Sequence, residues 1–207
     1  MCAWFFGRSK QGGEIAVVSA CPECGSQLLA VREGRPACPN PDCPAQVRRG
    51  LVHWCAPEVM AIPGGDEAMV ALLVQHGLVR DVAELYRLKV KELAALPGLT
   101  PESAQQFFDA ITASMKRDAW RLLFGLRIPL VGAAEAQALG AGFPTVDAVF
   151  AAGVPRMMKD AGVSREVAES LVRWHSDSVH RKLVRRLEKF GVNFQSEQFD
   201  RAKLAGL

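Results

Sequence analysis

The sequence predicts a mainly α-helical protein with a small cysteine-rich module near its N-terminus. Four of its six cysteines fall within residues 21–45, a stretch with too few apolar residues for a hydrophobic core of its own. Residues 46–207 carry apolar side chains at helical spacing almost throughout, interrupted by short breaks that contain Gly or Pro. Four of these breaks hold a turn glycine at intervals of about 30 residues, which is typical of a repeated helical hairpin.

The composition is that of a globular protein and excludes several classes. The 207 residues are enough for one or two small domains, and 49% of them are hydrophobic and 23% charged. No apolar run approaches the roughly 20 residues that span a bilayer, and the N-terminus lacks the basic start of a signal peptide. We therefore expect a cytoplasmic protein with no membrane partner. The net charge of +3 permits an anionic partner without requiring one.

The cysteine spacing and the breaks divide the chain into five segments. Residues 15–18 are strand-like, and we interpret the stretch before the cysteines as a remnant strand or linker. The predicted segments are 1–20 (remnant strand or linker), 21–45 (cysteine module), 46–118 (first hairpin pair), 119–200 (second hairpin pair) and 201–207 (tail).

The cysteine module has the ligand spacing of a structural zinc site. Cys21 and Cys24 form a CxxC knuckle, and Cys38 and Cys43 form a second pair after a stretch long enough for a short β-hairpin. Four thiolates would complete the tetrahedral coordination of a zinc ion and leave no position for a substrate. The alternatives are four unrelated thiols or a redox pair, and the clustered spacing favours zinc.

Two further cysteines and one histidine near the module are interpreted as bystanders. Cys2 and Cys55 have no partner at ligand spacing, and we predict that Cys55 is buried. His53 is a lone histidine in an apolar stretch, which is typical of a packed or capping residue, and we do not assign it to a metal.

The repeated turns contain a signal for the start of a helix. They lie at residues 61–66, 95–100, 128–133 and 160–164. The second and fourth share the order glycine, apolar residue, hydroxyl residue, helix. The hydroxyl groups of Thr100 and Ser164 are therefore placed to cap the N-termini of the helices that follow them.

Several motifs in succession resemble the bacterial NAD-dependent DNA ligases. Residues 21–26 and 38–46 are similar to the zinc finger of that family, and residues 51–54 with 60–64 are similar to the entry into its helix-hairpin-helix domain. Later parts of the domain match at residues 77–88, 121–124 and 191–193, and residues 10–15 resemble the last strand of the preceding oligonucleotide-binding fold. The resemblance covers roughly residues 8–195.

The resemblance implies a four-cysteine zinc finger followed by a tandem helix-hairpin-helix domain of four hairpins. It also implies binding to double-stranded DNA, nicked or intact, without sequence preference. The family's adenylation domain, where NAD binds and a lysine takes AMP, has no counterpart in the sequence. The one partial match to its lysine signature, residues 116–119, lacks the glycine and falls in a predicted helix. We therefore predict no catalytic residue and no binding of NAD to this chain.

The resemblance also gives the residues expected to contact DNA. In such a hairpin a Gly-apolar-Gly turn presents backbone N–H groups and a helix N-terminus to phosphate oxygens. Asp66, Thr100 and Ser164 stand where the second glycine is expected, and Asp66 would repel phosphate, so the first hairpin should bind most weakly. A basic face at 181–189 lies beside the fourth hairpin. The predicted DNA contacts are Gly64, Gly65, Gly98, Leu99, Thr100, Gly132, Ala133, Gly162, Val163, Ser164, Arg181, Lys182 and Arg185.

Two other functions remain open at the level of sequence. The chain could be the DNA-binding part of a split or truncated ligase that seals nicks, with the adenylation domain on a separate protein. Alternatively, the altered hairpins could form a protein–protein adaptor that no longer contacts DNA, because glycine turns also occur in plain helix packing.

Overall fold

The computed structural model describes residues 20–30, 36–40 and 42–199, and the chain divides into two compact units between Gln46 and Val47. The strand expected at residues 15–18 and the tail at 201–207 lie outside the described residues. The first unit contains the cysteine module. The second unit contains the helical hairpins.

The first unit has a short antiparallel β-hairpin between its two cysteine pairs. Strand β1 (Leu29–Ala30) pairs with β2 (Pro36–Ala37), with Leu29 opposite Ala37. An isolated bridge between Ala20 and Gln27 extends the pairing toward the first cysteine pair. The hairpin predicted between the two cysteine pairs is confirmed.

Helices are the main secondary structure of the second unit, as predicted. Most of them are short, and a 3-10 helix, Val82–Arg87, lies between the second and the third. The α-helices are α1 (Pro44–Cys55), α2 (Glu67–Gln75), α3 (Val90–Ala94), α4 (Pro101–Ser114), α5 (Ala119–Gly125), α6 (Ala133–Gly142), α7 (Val146–Ala151), α8 (Val154–Ala161), α9 (Arg165–Ser176) and α10 (Ser178–Lys189).

Short polar side chains begin many of these helices. Thr100 accepts a hydrogen bond from the backbone N–H of Ser103 at 3.1 Å, and Ser164 accepts one from Val167 at 3.4 Å. Both predicted caps are confirmed. Each cap satisfies a backbone donor that has no partner within the first turn of a helix.

One expectation about helix position is wrong. Residues 116–118 lie between two helices, because α4 ends at Ser114 and α5 begins at Ala119. The carboxylate of Asp118 caps α5 by accepting from the N–H of Trp120 at 3.2 Å. An aspartate at this position favours a helix start over continuation of the preceding helix.

The second unit is built around one continuous hydrophobic core. Trp54 of α1 is completely buried, and its indole N–H donates to the hydroxyl of Tyr86 at 3.0 Å. The same hydroxyl lies 3.2 Å from that of Ser114 at the end of α4. Cys55 is buried, as predicted. A ring nitrogen of His53 lies 3.3 Å from the carbonyl oxygen of Phe124. His53 is not part of the cluster that could hold a metal ion, which consists of four cysteines.

A segment after α10 joins the two halves of the helical unit. The backbone N–H of Asn193 donates to the carbonyl of Met115 at 2.7 Å, and the N–H of Ala119 donates to Gln195 at 3.2 Å. The N–H of Val146, at the start of α7, donates to Phe194 at 3.0 Å. Residues 193–195 therefore connect the α4–α5 junction to the second half. None of the described helices has the length and apolar character needed to cross a membrane.

Candidate metal centre and nucleic-acid interface

The four clustered cysteines converge through two tight loops. In the first loop the N–H of Cys21 donates to the carbonyl of Ser26, and the N–H of Gly25 donates to Cys21, both at 2.8 Å. Gly25 has a φ of 71°, which the closed loop requires and which favours glycine. In the second loop the N–H of Cys43 donates to the carbonyl of Asn40 at 3.2 Å. The β-hairpin returns the chain from one loop to the other.

The sulfur atoms have the spacing of a tetrahedral ligand set. The Sγ atoms of Cys21 and Cys43 are 3.7 Å apart, and those of Cys24 and Cys38 are 3.5 Å apart. All four lie within 4.8 Å of one another. Thiolates at about 2.3 Å from one ion would be separated by roughly 3.8 Å along the edge of a tetrahedron. The four cysteines can therefore hold a metal ion.

The chemical surroundings of Cys24 favour a thiolate. Hydrogen bonds with Ser26, first with its side chain and then with its backbone, lower the pKa of the Cys24 thiol to about 6. Cys55 differs, since burial raises the pKa of its thiol to about 12. Burial also raises the pKa of the Cys38 thiol, inside the cluster, to about 12, so of these two cluster members it is Cys24 whose surroundings favour the thiolate that binds a metal.

The four helical hairpins share one unusual backbone position. A positive φ occurs at Gly64 (84°), Gly98 (83°), Leu130 (68°) and Gly162 (66°). Two residues later each chain segment reaches the N-cap of the next helix, at Asp66, Thr100, Gly132 and Ser164. In the third hairpin Leu130 therefore takes the place of the turn glycine, and Gly132 is equivalent to Thr100 and Ser164. In the first three hairpins an Ile-Pro or Leu-Pro pair comes directly before the residue with positive φ. This pair is the sequence signal that aligns the third hairpin with the first two.

The residue between these two positions packs into the protein. Val131 and Val163 are buried, and Leu99 is half-buried. Gly65 is also buried, and a Cβ on it would lie 2.6 Å from the Cβ and Sγ atoms of Cys55. The N–H groups of Gly65 and Leu99 donate back to the turn, to Ile62 at 3.2 Å and Leu96 at 3.3 Å. Gly65 and Leu99 therefore shape their turns.

The outer residue of the turn presents its amide differently. Within the described residues, the N–H groups of Gly64, Gly98 and Leu130 donate to no acceptor. These amides are at exposed positions beside the N-termini of α2, α4 and α6. Gly162 differs from them because it also ends α8 as a left-handed C-cap.

The N-cap amide is engaged in two of the four hairpins. The hydroxyl of Ser103 accepts from the N–H of Thr100 at 2.9 Å, and the carboxylate of Glu135 accepts from the N–H of Gly132 at 2.9 Å. The second hairpin thus carries a neutral partner at this position and the third carries an anion. Ala133 follows as the first residue of α6 and is exposed.

The basic face of α10 is partly used inside the protein. Arg181 donates to the carbonyl oxygens of His175 (3.2 Å) and Ser176, at the end of α9. Arg186 pairs with Asp81 at 2.6 Å and with Glu84 at 3.6 Å. Lys182, Arg185 and Lys189 are exposed and have no ion-pair partner in the part of the chain that the structure describes.

A second basic group, which is not among the predicted DNA contacts, consists of Arg49 on α1 and Arg127 after α5. A Cβ on Gly50 would lie 3.6 Å from an Nη atom of Arg127, so that guanidinium lies against α1. Arg49 precedes Gly50 and is exposed. The two residues are far apart in sequence, and only the fold brings them together.

The fold and its turns define the class of the second unit. Residues 56–110 match the family model described as a SAM-like helix-hairpin-helix tandem, and residues 121–184 match the model of the helix-hairpin-helix motif. The unit is a tandem helix-hairpin-helix domain, as predicted.

Whole-chain comparison shows similarity to bacterial DNA ligases and confirms the resemblance. The chain is 39% identical to the DNA ligase of Synechococcus sp. (strain JA-3-3Ab) over 175 residues, which is 84% of this chain and 26% of that protein. It is 39% identical to the DNA ligase of Anoxybacillus flavithermus over 84% of this chain, and 38% identical to that of Rubrobacter xylanophilus over 87%. The chain spans about a quarter of the length of these relatives (26–27%).

Proposed function

We propose that the chain binds double-stranded DNA without reading its sequence, as the DNA-gripping part of a protein like an NAD-dependent DNA ligase. The observation that carries the proposal is the second hairpin. There the amide of Gly98 is unpaired within the described residues and lies beside the N-terminus of α4. An exposed Thr100 hydroxyl stands at the same helix end.

The physical basis is the affinity of helix N-termini for anions. Unpaired N–H groups and the helix dipole both favour a phosphate oxygen at that end. Contacts to phosphates fix the position of a protein on a duplex but carry no base information. Binding by this route is therefore independent of sequence and sensitive to salt, because each neutralised phosphate releases counterions.

The four hairpins are expected to contribute unequally. In the first, the carboxylate of Asp66 accepts from the N–H of Met69 at 2.9 Å and places a negative charge at the start of α2. In the third, the carboxylate of Glu135 likewise places a negative charge at the start of α6. The N-caps of the second and fourth are the hydroxyl residues Thr100 and Ser164, and Glu166 lies in the first turn of α9 beside Ser164. We propose the second and fourth as the main phosphate contacts, with Lys182 and Arg185 as further contacts on α10, the helix that follows α9.

Zinc is the ion that we propose for the cysteine cluster. Four thiolates in a closed tetrahedral set suit zinc in a structural role and leave no site for catalysis. The zinc would stabilise the loops of the first unit, whose described part has little apolar surface to bury. We assign no catalytic residue and no NAD site to the chain, and we propose a cytoplasmic location, where thiols stay reduced.

The relatives favour one further candidate, in which the chain is the DNA clamp of a ligase that seals nicks. The adenylation domain would then be supplied by a separate protein. This candidate predicts tighter binding to nicked than to intact duplex. Equal binding to both would favour the simple DNA-binding function, and no binding to either would favour an adaptor.

The test is a salt titration of binding to a fluorescent duplex, intact and nicked, with a Gly98→Asp variant. Gly77→Asp is its matched control, because Gly77 also has a positive φ (67°) and open space around its Cβ position but lies outside the four turns. Both variants introduce similar backbone strain and the same charge. We expect Gly98→Asp to lose about tenfold or more in affinity through phosphate repulsion and loss of close approach.

The proposal would be contradicted if Gly77→Asp lowered the DNA affinity as much as Gly98→Asp does. Such a result would mean that strain or net charge, and not the hairpin turn, controls binding. Circular dichroism of both variants checks that each remains folded.

A further inference from the structure

The connection between α5 and α6 contains two residues in a strained conformation. Arg127 has a φ of 53° and Leu130 has a φ of 68°. The described residues include only one other non-glycine residue with positive φ, Ala61. Residues other than glycine rarely adopt this backbone conformation, and it persists where the surrounding structure imposes it.

Several contacts hold this connection in place. Ile128 and Val131 are buried, and the N–H of Val131 donates to the carbonyl of Ile128 at 3.0 Å. The hydroxyl of Ser170, on α9, donates to the carbonyl of Pro129 at 2.6 Å. The start of the connection is fixed as well, because the N–H of Arg127 donates to Phe124 at 3.2 Å. The backbone that carries Arg127 is therefore anchored at both ends.

This fixed backbone directs Arg127 onto another positive charge. Its guanidinium lies against Gly50, next to Arg49, and neither guanidinium has a hydrogen-bond or ion-pair partner among the described residues. Partial burial, and after it the positive charge of Arg49, lower the pKa of Arg127. An arginine stays protonated in proteins, so two like charges lie near one another without a carboxylate partner among the described residues.

The N-cap amide of the adjacent hairpin is paired with a negatively charged group. The carboxylate of Glu135 already occupies the amide of Gly132 at the N-terminus of α6. A DNA backbone that approaches the third hairpin would meet this negative charge. Arg127 lies in the connection that leads into the same turn.

We propose that Arg49 and Arg127 form a phosphate-binding site, which takes a DNA-backbone phosphate in place of the N-cap amide of Gly132 in the third hairpin. The proposal rests on the DNA-binding function proposed above. Two guanidinium groups present donors that match the oxygens of one phosphate. The bound phosphate would neutralise the repulsion between them.

The experiment compares the salt dependence of duplex binding in the full chain and in Arg127→Gly, Arg127→Lys and Arg49→Ala. Arg87→Ala is the control, because Arg87 is exposed but already paired with Glu84 at 3.6 Å. Loss of one phosphate contact should reduce the slope of log K against log salt by about 0.9. We expect this reduction in Arg127→Gly and Arg49→Ala, and a nearly unchanged slope in Arg127→Lys and Arg87→Ala.

Thermal melting provides a second readout that a purely structural role would not reproduce. Glycine adopts a positive φ without strain, and its introduction also removes the repulsion from Arg49. Arg127→Gly should therefore melt at the same temperature as the unaltered chain or higher, while its DNA binding weakens. A lower melting temperature together with an unchanged slope would mean that Arg127 is structural and would overturn the site.

The outcomes separate the two proposals. If the unaltered chain binds duplex DNA and Arg127→Gly keeps its full slope, the site is wrong and the hairpin function stands. If the unaltered chain binds no duplex, both proposals fail. A third outcome is that inorganic phosphate raises the melting temperature only when Arg127 is present, while Arg127→Gly leaves the salt slope of DNA binding unchanged. The pair would then bind free anions and not DNA, which would also overturn the proposal.

Discussion

Leu130 is a leucine in a backbone position that glycine occupies in the other three hairpins. It is 64% exposed, so its side chain gains little from burial while its positive φ costs roughly 1–2 kcal/mol. Its neighbours Ile128 and Val131 hold the turn by their own burial. The turn therefore keeps its shape although leucine is unfavourable at this positive φ.

We expect Leu130→Gly to stabilise the helical unit by about 0.5–1 kcal/mol. Relief of the strained φ should exceed the extra entropy that glycine gives the unfolded chain. The measurement is the free energy of unfolding in urea. Val172→Gly is the control, because Val172 is also exposed but helical, and this change should cost about 1 kcal/mol. Destabilisation by Leu130→Gly would show that the leucine contributes to stability in some other way.

Among the elements, the caps connect the local sequence to the proposed DNA contacts. Thr100 and Ser164 were recognisable because a hydroxyl followed by a helical pattern is a local signal. Gly65 could not be interpreted in the same way. Its close approach to Cys55 depends on how α1 packs against the turn, which no local pattern reports.

Asp66→Asn should strengthen DNA binding up to about fivefold, since removal of a charge near a phosphate is worth at most ~1 kcal/mol at an exposed site. The asparagine oxygen can still accept from Met69, so α2 should remain capped. The comparison is Asp118→Asn, which makes the same change at the N-cap of α5, outside the hairpin turns. The salt titration described above measures both. Equal effects of the two variants would point to net charge alone and not to the turn.

In the molecule as a whole, the two units depend on different interactions. The core of the helical unit runs from Leu51 to Phe194. The described part of the first unit contains two strands of two residues each and the four clustered cysteines. A metal ion would therefore supply much of the folding energy of the first unit and little of that of the second.

A strong chelator should unfold the first unit while the helical circular dichroism signal changes little. The metal content, measured by mass spectrometry before and after chelation, should fall from about one zinc per chain to none. Cys38→Ser should contain no zinc even without the chelator. Cys55→Ser should keep its zinc, because Cys55 is outside the cluster. Loss of the helical signal on chelation would contradict this independence.

How much the sequence could predict depended on the distance over which each feature is formed. The metal ligands lie within 23 residues, from Cys21 to Cys43, and their spacing alone predicted the cluster. The turn at 115–118 was missed because Asp118 was taken as part of a helix rather than as its cap. The Arg49–Arg127 pair was missed because the two residues meet only through the packing of α5 and its following loop on α1.

The segment at 193–197 has a practical consequence for anyone who shortens this chain. Its backbone bonds to Met115, Ala119 and Val146 come from residues that follow α10, where a fragment boundary would ordinarily be placed. Ser196 adds a buried hydroxyl that donates to the carbonyl of Gly140 at 2.7 Å. A fragment trimmed at the end of α10 would leave those partners exposed to solvent. Expression fragments should therefore extend at least through residue 199, because residues 197–199 are helical.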